Sequence, residues 1–126
     1  MNVDSLQGET VNILLKRVYE TPHRDDGTRI LVDRLWPRGM TKERAKIDVW
    51  LKEITPSHEL RTWYQHDIDK WPDFKRRYFA EIDAHPEAVR ELLRYAEQGT
   101  ITLVYAAKAP EHNHALALKQ YLEQNR

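Results

Sequence analysis

Apolar positions fall in short blocks separated by charge, and their spacing changes from block to block. Val11 to Tyr19 mixes aliphatic, β-branched and aromatic residues with Lys16 and Arg17, and reads as a first strand. Thr21 to Thr28 is a loop, with Asp25-Asp26-Gly27 as its turn signal. Arg29 to Asp33 is the second strand. Its three successive apolar residues, Ile30, Leu31 and Val32, predict burial on both faces, as in a parallel or mixed sheet covered by helices. Trp36-Pro37-Arg38-Gly39 breaks that strand, because Pro37 lacks a donor and Gly39 permits a sharp reversal. Thr41 caps a short helical turn through Arg44. Ile47 to Ile54 supports two readings. Ile47, Val49 and Leu51 alternate as in a strand, while Ile47, Trp50, Leu51 and Ile54 fit a helical face; the extended reading is preferred.

The second half turns helical. Ser57 is an N-cap before Leu60, Trp63 and Tyr64. Pro72 opens a helix in which Phe74, Tyr78 and Ile82 recur every fourth residue. His85-Pro86 divides it from another helix carrying Val89, Leu92, Leu93 and Ala96, with Gly99 as its C′ residue. Thr100 to Ala107 is the clearest strand, and a last helix runs from about His112 to Glu123. This order predicts an α/β fold: a small, mostly parallel or mixed sheet flanked by helices. It occupies one domain over residues 11–126, behind a flexible tail at residues 1–10.

The totals narrow the function classes. A chain of 126 residues suits one domain. It has no cysteine, which excludes a disulfide framework, a thiol nucleophile and a thiolate metal site. No apolar run approaches the roughly 20 residues of a membrane span, so no membrane partner is expected. The amino terminus lacks the basic-then-apolar plan of a secretory signal, and a cytoplasmic location is expected. Twenty basic residues balance twenty acidic ones. A general nucleic-acid binder usually carries a net basic footprint, so any anion must be met by a local cluster.

Ligands of open α/β sheets bind outside the carboxyl ends of strands. Two segments qualify, Asp33–Gly39 and Tyr105–His114. In the first, Asp33 is a candidate base or acceptor, and Arg34 and Arg38 are candidate anion clamps through their bidentate forks. An Asp33–Arg34 ion pair serving structure alone is an equal reading. Trp36 could stack on a ring, but a Trp at a strand end more often covers core. In the second, Lys108, Asn113 and His114 are candidates for an anion at the start of a helix, with His114 as an acid/base group. Asn113 has the plainer reading of an N-cap. His112 and His114, two apart, point to different sides of a helix and would not share a metal. No metal and no cofactor are predicted. His23, His58, His66 and His85 read as surface residues. Arg61 and Arg77 could extend a basic wall, but read first as surface ion-pair partners. Phosphate loops, dinucleotide fingerprints, nucleophile elbows and H-E-x-x-H are all absent.

Several separated stretches resemble one family. They are Lys16-Arg17-Val18-Tyr19, Arg29 through Gly39, Lys52-Glu53-Ile54-Thr55-Pro56-Ser57 with Leu60-Arg61, and Tyr105-Ala106-Ala107-Lys108 with Asn113-His114-Ala115. Together they resemble the YeaO-like family, part of the domain-of-unknown-function group numbered 488. The likeness runs from Val11 to the end and implies a small bacterial α/β domain. It implies no activity. Relatives in the wider group carry cysteines after the last strand; here Ala106, Ala107 and Asn113-His114-Ala115 stand in that region, so no thiol chemistry carries over. Some relatives are labelled transcription regulators, but no helix-turn-helix is legible here. The leading expectation is a small anionic ligand, a nucleotide or phosphometabolite, held between the two strand ends. The second is a nucleic-acid-binding or regulatory module without catalysis.

Overall fold

Strand–helix alternation delivers four parallel strands. The computed structural model describes residues 11–109 and 111–124; the tail expected at residues 1–10 lies outside the described residues. The strands are β1 (Ile13–Arg17), β2 (Thr28–Leu31), β3 (Val49–Trp50) and β4 (Ile101–Tyr105), in the spatial order β1-β4-β2-β3. All three pairings are parallel. The inner strands follow from composition: β4 is buried at all five positions and β2 at three of four. Val32 continues the pairing by donating to the Val104 carbonyl at 3.0 Å, after which the chain leaves the sheet at Asp33.

The helices are α1 (Lys42–Ala45), α2 (His58–Tyr64), α3 (Trp71–Asp83), α4 (Pro86–Gln98) and α5 (His114–Gln124). Side-chain alternation divides each strand between two faces. Ile13, Ile30, Ile101, Leu103 and Tyr105 pack with Leu60, Phe74, Tyr78, Ile82, Leu92 and Leu118 from α2–α5, forming the main core. Leu31 and Val104 face the other way, against Val18, Met40 and Ala45, with Trp36 and Trp50 beside them. The apolar stripe Phe74, Tyr78 and Ile82 is fully inside, as its four-residue period predicts.

Three local readings change. Ile47–Ile54 is both things in turn: β3 pairs with β2 for two residues, then a 3-10 turn forms at Lys52–Ile54. Gly99 ends α4 at φ 159°, ψ −172°, a positive-φ conformation that favours glycine but differs from the αL conformation of a C′ glycine. The last helix starts at His114, not His112, because Asn113 caps it. Its Oδ1 accepts from the Leu116 N–H at 2.9 Å, and its Nδ2 donates to the Ala109 carbonyl at 2.7 Å.

On the thin face, ahead of β2, lies a buried charge network. Asp26 and Arg29 are each 4% exposed and pair at 2.6 Å, and Lys16 reaches the same carboxylate at 3.0 Å. Arg29 spends its remaining donors on the Ala45 and Lys46 carbonyls at the end of α1. Those carbonyls have no partner within their own helix, so the guanidinium caps it. Burial alone would raise the Asp26 pKa. The His23 N–H, Lys16 and Arg29 outweigh burial and hold it below the ordinary carboxylate value. Gly27, the turn glycine, has φ +65°, and a Cβ there would lie 2.0 Å from the Thr100 carbonyl oxygen. Glycine is therefore required both for conformation and for space.

Candidate functional site

The exits of β2 and β4 meet. Residues from Asp33–Arg38 and from Ala106–His114 line one cavity of about 500 Å³, within the usual range for small-molecule sites. Its floor is polar. Asp33 Oδ2 accepts the Ala106 N–H at 2.9 Å, so the carboxylate bridges the two strand exits. His114, the first residue of α5, turns back over them. Its Nε2 lies 2.8 Å from the Val32 carbonyl oxygen and 3.1 Å from Asp33 Oδ1. One N–H cannot align with both acceptors. It serves the carbonyl, and Asp33 Oδ1 stays buried without an aligned donor. An under-satisfied buried carboxylate oxygen is uncommon, and a role in binding or catalysis is one of its physical explanations.

The pocket's basic rim has a different character. Arg34, Arg38 and Arg61 all line the cavity and all are exposed. None of their guanidinium groups has an ion-pair or hydrogen-bond partner among the described residues. The Asp33–Arg34 ion pair does not form; Asp33 turns to Ala106 and His114 instead. Arg61 comes from α2, so its reading as a surface ion-pair residue is replaced by a place at the cavity. Arg77 stays outside, stacked 4.3 Å from the Trp63 ring centre, with Lys70 5.0 Å from the same ring.

Other predicted residues divide. Trp36 lines the cavity but is held as structure. Its Nε1 donates to the Met40 carbonyl at 2.6 Å, and its ring packs edge-on against Trp50 at 5.5 Å. Trp50 in turn donates to the Asp33 carbonyl at 2.7 Å, fixing the exit of β2. Asn113 is the α5 cap and touches the cavity lining. Lys108 is exposed and lies outside the lining. His112 and His114 do diverge: the His112 ring packs edge-on against Trp71 at 5.3 Å. No cluster able to hold a metal occurs among the described residues.

Sequence reasoning missed the struts. Arg17, at the end of β1, donates to the Ala106 and Ala107 carbonyls at 3.1 and 3.0 Å. Its guanidinium also lies 5.0 Å from the Tyr19 ring centre, and the Tyr19 hydroxyl donates to the Arg38 carbonyl at 2.8 Å. Three strand exits are thereby tied together. Tyr64 stacks on Phe74 at 4.3 Å and donates to the His112 carbonyl at 3.0 Å. Burial and the nearby Asp67 raise its pKa. Burial, then Glu81 and Asp33, raise that of Tyr78 well above the ordinary phenol value. Both phenols therefore stay neutral donors, Tyr64 in the cavity lining and Tyr78 outside it. His66, read from sequence as surface, lines the cavity at φ 58°, next to Gln65 at φ 46°. Two successive left-handed non-glycine residues form a strained corner beside the site.

A family model described as the inactive DUF488-N3 subclade matches residues 12–126. The chain belongs to that family. Its relatives include "Uncharacterized protein YeaO" of Escherichia coli (strain K12), 44% identical over 89% of this chain and 97% of the relative. "Uncharacterized protein Rv3073c" of Mycobacterium tuberculosis (strain ATCC 25618 / H37Rv) is 37% identical over 87% and 92%. "Uncharacterized protein Mb3100c" of Mycobacterium bovis (strain ATCC BAA-935 / AF2122/97) gives the same figures. No solved structure gave a significant match. The YeaO-like resemblance read from the strand-end motifs is therefore correct. In this DUF488-N3 member, no helix among the described residues is long and apolar enough to cross a membrane.

Proposed function

We propose that the cavity between the exits of β2 and β4 binds a small anionic ligand, a nucleotide or phosphometabolite. One observation carries the reading: three guanidiniums from two separate segments, without ion-pair partners among the described residues, border a single cavity. Among the described arginines only Arg29 and Arg76 form ion pairs, so what sets Arg34, Arg38 and Arg61 apart is their shared place at one cavity. Arg34, Arg38 and Arg61 border a concave site, and the forked donors of guanidiniums suit oxyanions. The struts from Arg17, Tyr19 and Trp50 hold the loops in place before any ligand arrives, which lowers the entropy lost on binding.

Binding without turnover is the simpler use of the site. The family model carries the description inactive, and the chain has no cysteine to act as a nucleophile. Asp33 and His114 could still pass a proton, and they form the pair through which any acid/base step would run. The test is calorimetric titration with 5′-AMP and with inorganic phosphate, on the native chain and on Arg38→Ala. The native chain binds at least one of them saturably, and the variant loses that binding while melting at nearly the same temperature. An Arg38→Ala variant that unfolds, or binding that it leaves untouched, removes the pocket from consideration.

A further inference from the structure

This inference rests on the reading of the pocket as an anion site and assigns His114 its part. Nε2 sits between the Val32 carbonyl and the Asp33 carboxylate, both acceptors, so Nε2 must carry a hydrogen. The tautomer and ring direction are thereby fixed. Nδ1 is left without a hydrogen-bond partner among the described residues and is not sealed from solvent. His114 lines the same cavity as Arg34, Arg38 and Arg61.

We propose that His114 is the protonatable contact of this pocket: an oxyanion of the ligand sits at Nδ1, and its arrival is coupled to uptake of one proton there. In the empty pocket charge of both signs surrounds the ring. Arg34 and Arg38 from the β2 exit, Arg61 from α2 and the amino end of α5 are all positive. Tyr64 from α2 and Tyr78 from α3 stay neutral. Asp33 supplies the negative charge, and Tyr19, His66 and His112 are the remaining titratable groups of the lining. An anion adds negative charge beside the guanidiniums and places an acceptor at Nδ1. The imidazolium that results is already supported behind, because its Nε2–H has both the Val32 carbonyl and Asp33 Oδ1 within reach. The previously unsatisfied carboxylate oxygen then faces a full positive charge.

The donor set also defines the ligand class. Three forked guanidiniums and one imidazolium offer more donors than the two oxygens of a carboxylate can accept. A terminal phosphate or sulfate, with three peripheral oxygens, matches them better.

Sulfate is the probe, because it does not itself titrate near neutral pH. Its binding to the full chain is measured calorimetrically at one pH in two buffers with different heats of ionisation. The heats should differ by the equivalent of about one proton taken up per sulfate. In His114→Gln the uptake should vanish and affinity should fall roughly ten- to a hundredfold, the range for loss of a charge-assisted hydrogen bond. Long-range proton–nitrogen spectra of the histidine rings of the native chain give the same answer without a variant: His114 becomes an imidazolium on sulfate addition. Saturable binding with equal heats overturns the coupling and leaves the anion pocket standing. So does an uptake that persists in His114→Gln, which assigns the proton to His66 or His112. Absence of saturable binding by sulfate, phosphate and 5′-AMP alike removes the pocket reading, and the coupling with it.

Discussion

Charge clusters stand on either side of β2, one before it and one after, built from the same residue types and opposite in character. Before the strand, Asp26 and Arg29 are almost wholly buried, and the network of Lys16, backbone carbonyls and backbone N–H groups around them leaves little unmet. After it, among the described residues, Asp33 Oδ1 lacks an aligned donor, and Arg34, Arg38 and Arg61, around a cavity, have no ion-pair partner. The first arrangement consumes its hydrogen-bonding capacity inside the protein. The second keeps capacity in reserve. A charge that is fully spent locally serves the fold; charges held unspent on a rigid frame are available to a ligand.

The comparison breaks most visibly at Arg29. Arg29→Ala leaves the buried Asp26 carboxylate with only Lys16 and the His23 N–H among the described residues and frees the α1 carbonyls. It should destabilise the domain by about 3–5 kcal/mol, read from urea unfolding. Arg38→Ala and Arg61→Ala test the other cluster. Each should shift stability by less than about 0.5 kcal/mol, as exposed substitutions do. Each should weaken phosphate or sulfate affinity roughly tenfold or more, through a lost charged donor. Stability losses at Arg38 as large as those at Arg29 would erase the distinction between the clusters.

Acid sharpens it. Because the folded-state pKa of Asp26 is lowered, its stabilising contribution is complete above the unfolded value of about 4. It is lost as the pH falls through the lower folded value. The urea midpoint should therefore drop below about pH 4, and Asp26→Asn, already less stable, should show a shallower drop. Within the cluster before β2, the smallest effect is expected at Asp48. This residue is itself exposed, and its Oδ2 accepts the Arg29 N–H at 2.8 Å. Asp48→Ala should cost about 1 kcal/mol, the usual net worth of one such hydrogen bond.

Much of this was legible in the amino-acid order. The run Ile30-Leu31-Val32 announced a strand buried on both faces, and the abrupt change to Asp33-Arg34 announced its exit. The same logic applied to Tyr105–His114, so both walls of the cavity could be named without coordinates. Caps were readable as well: Thr41, Ser57 and Asn113 each accept from a backbone N–H of the helix they precede. What escaped was three-dimensional. Asp26 sits in an Asp-Gly turn, a setting that reads as surface; only Lys16 and Arg29 on the same sheet face make it interior. Arg61 and His66 reach the cavity from α2 and the corner after it, across sequence distances that no local pattern encodes. Lys108 was named because it shares a loop with the site, yet it lies outside the lining. Ile47–Ile54 resisted assignment because both of its periodicities are used, one after the other.

The central claim is that the cluster after β2 takes up an anion and the cluster before it does not. Backbone amide spectra of the full chain during a sulfate titration test it most directly. Saturable shifts should concentrate at Arg34–Arg38, Arg61, Ala106 and Asn113–His114, with Asp26 and Arg29 unmoved. Shifts that never saturate, or that gather on the exposed basic surface around Lys70 and Arg77, would contradict it.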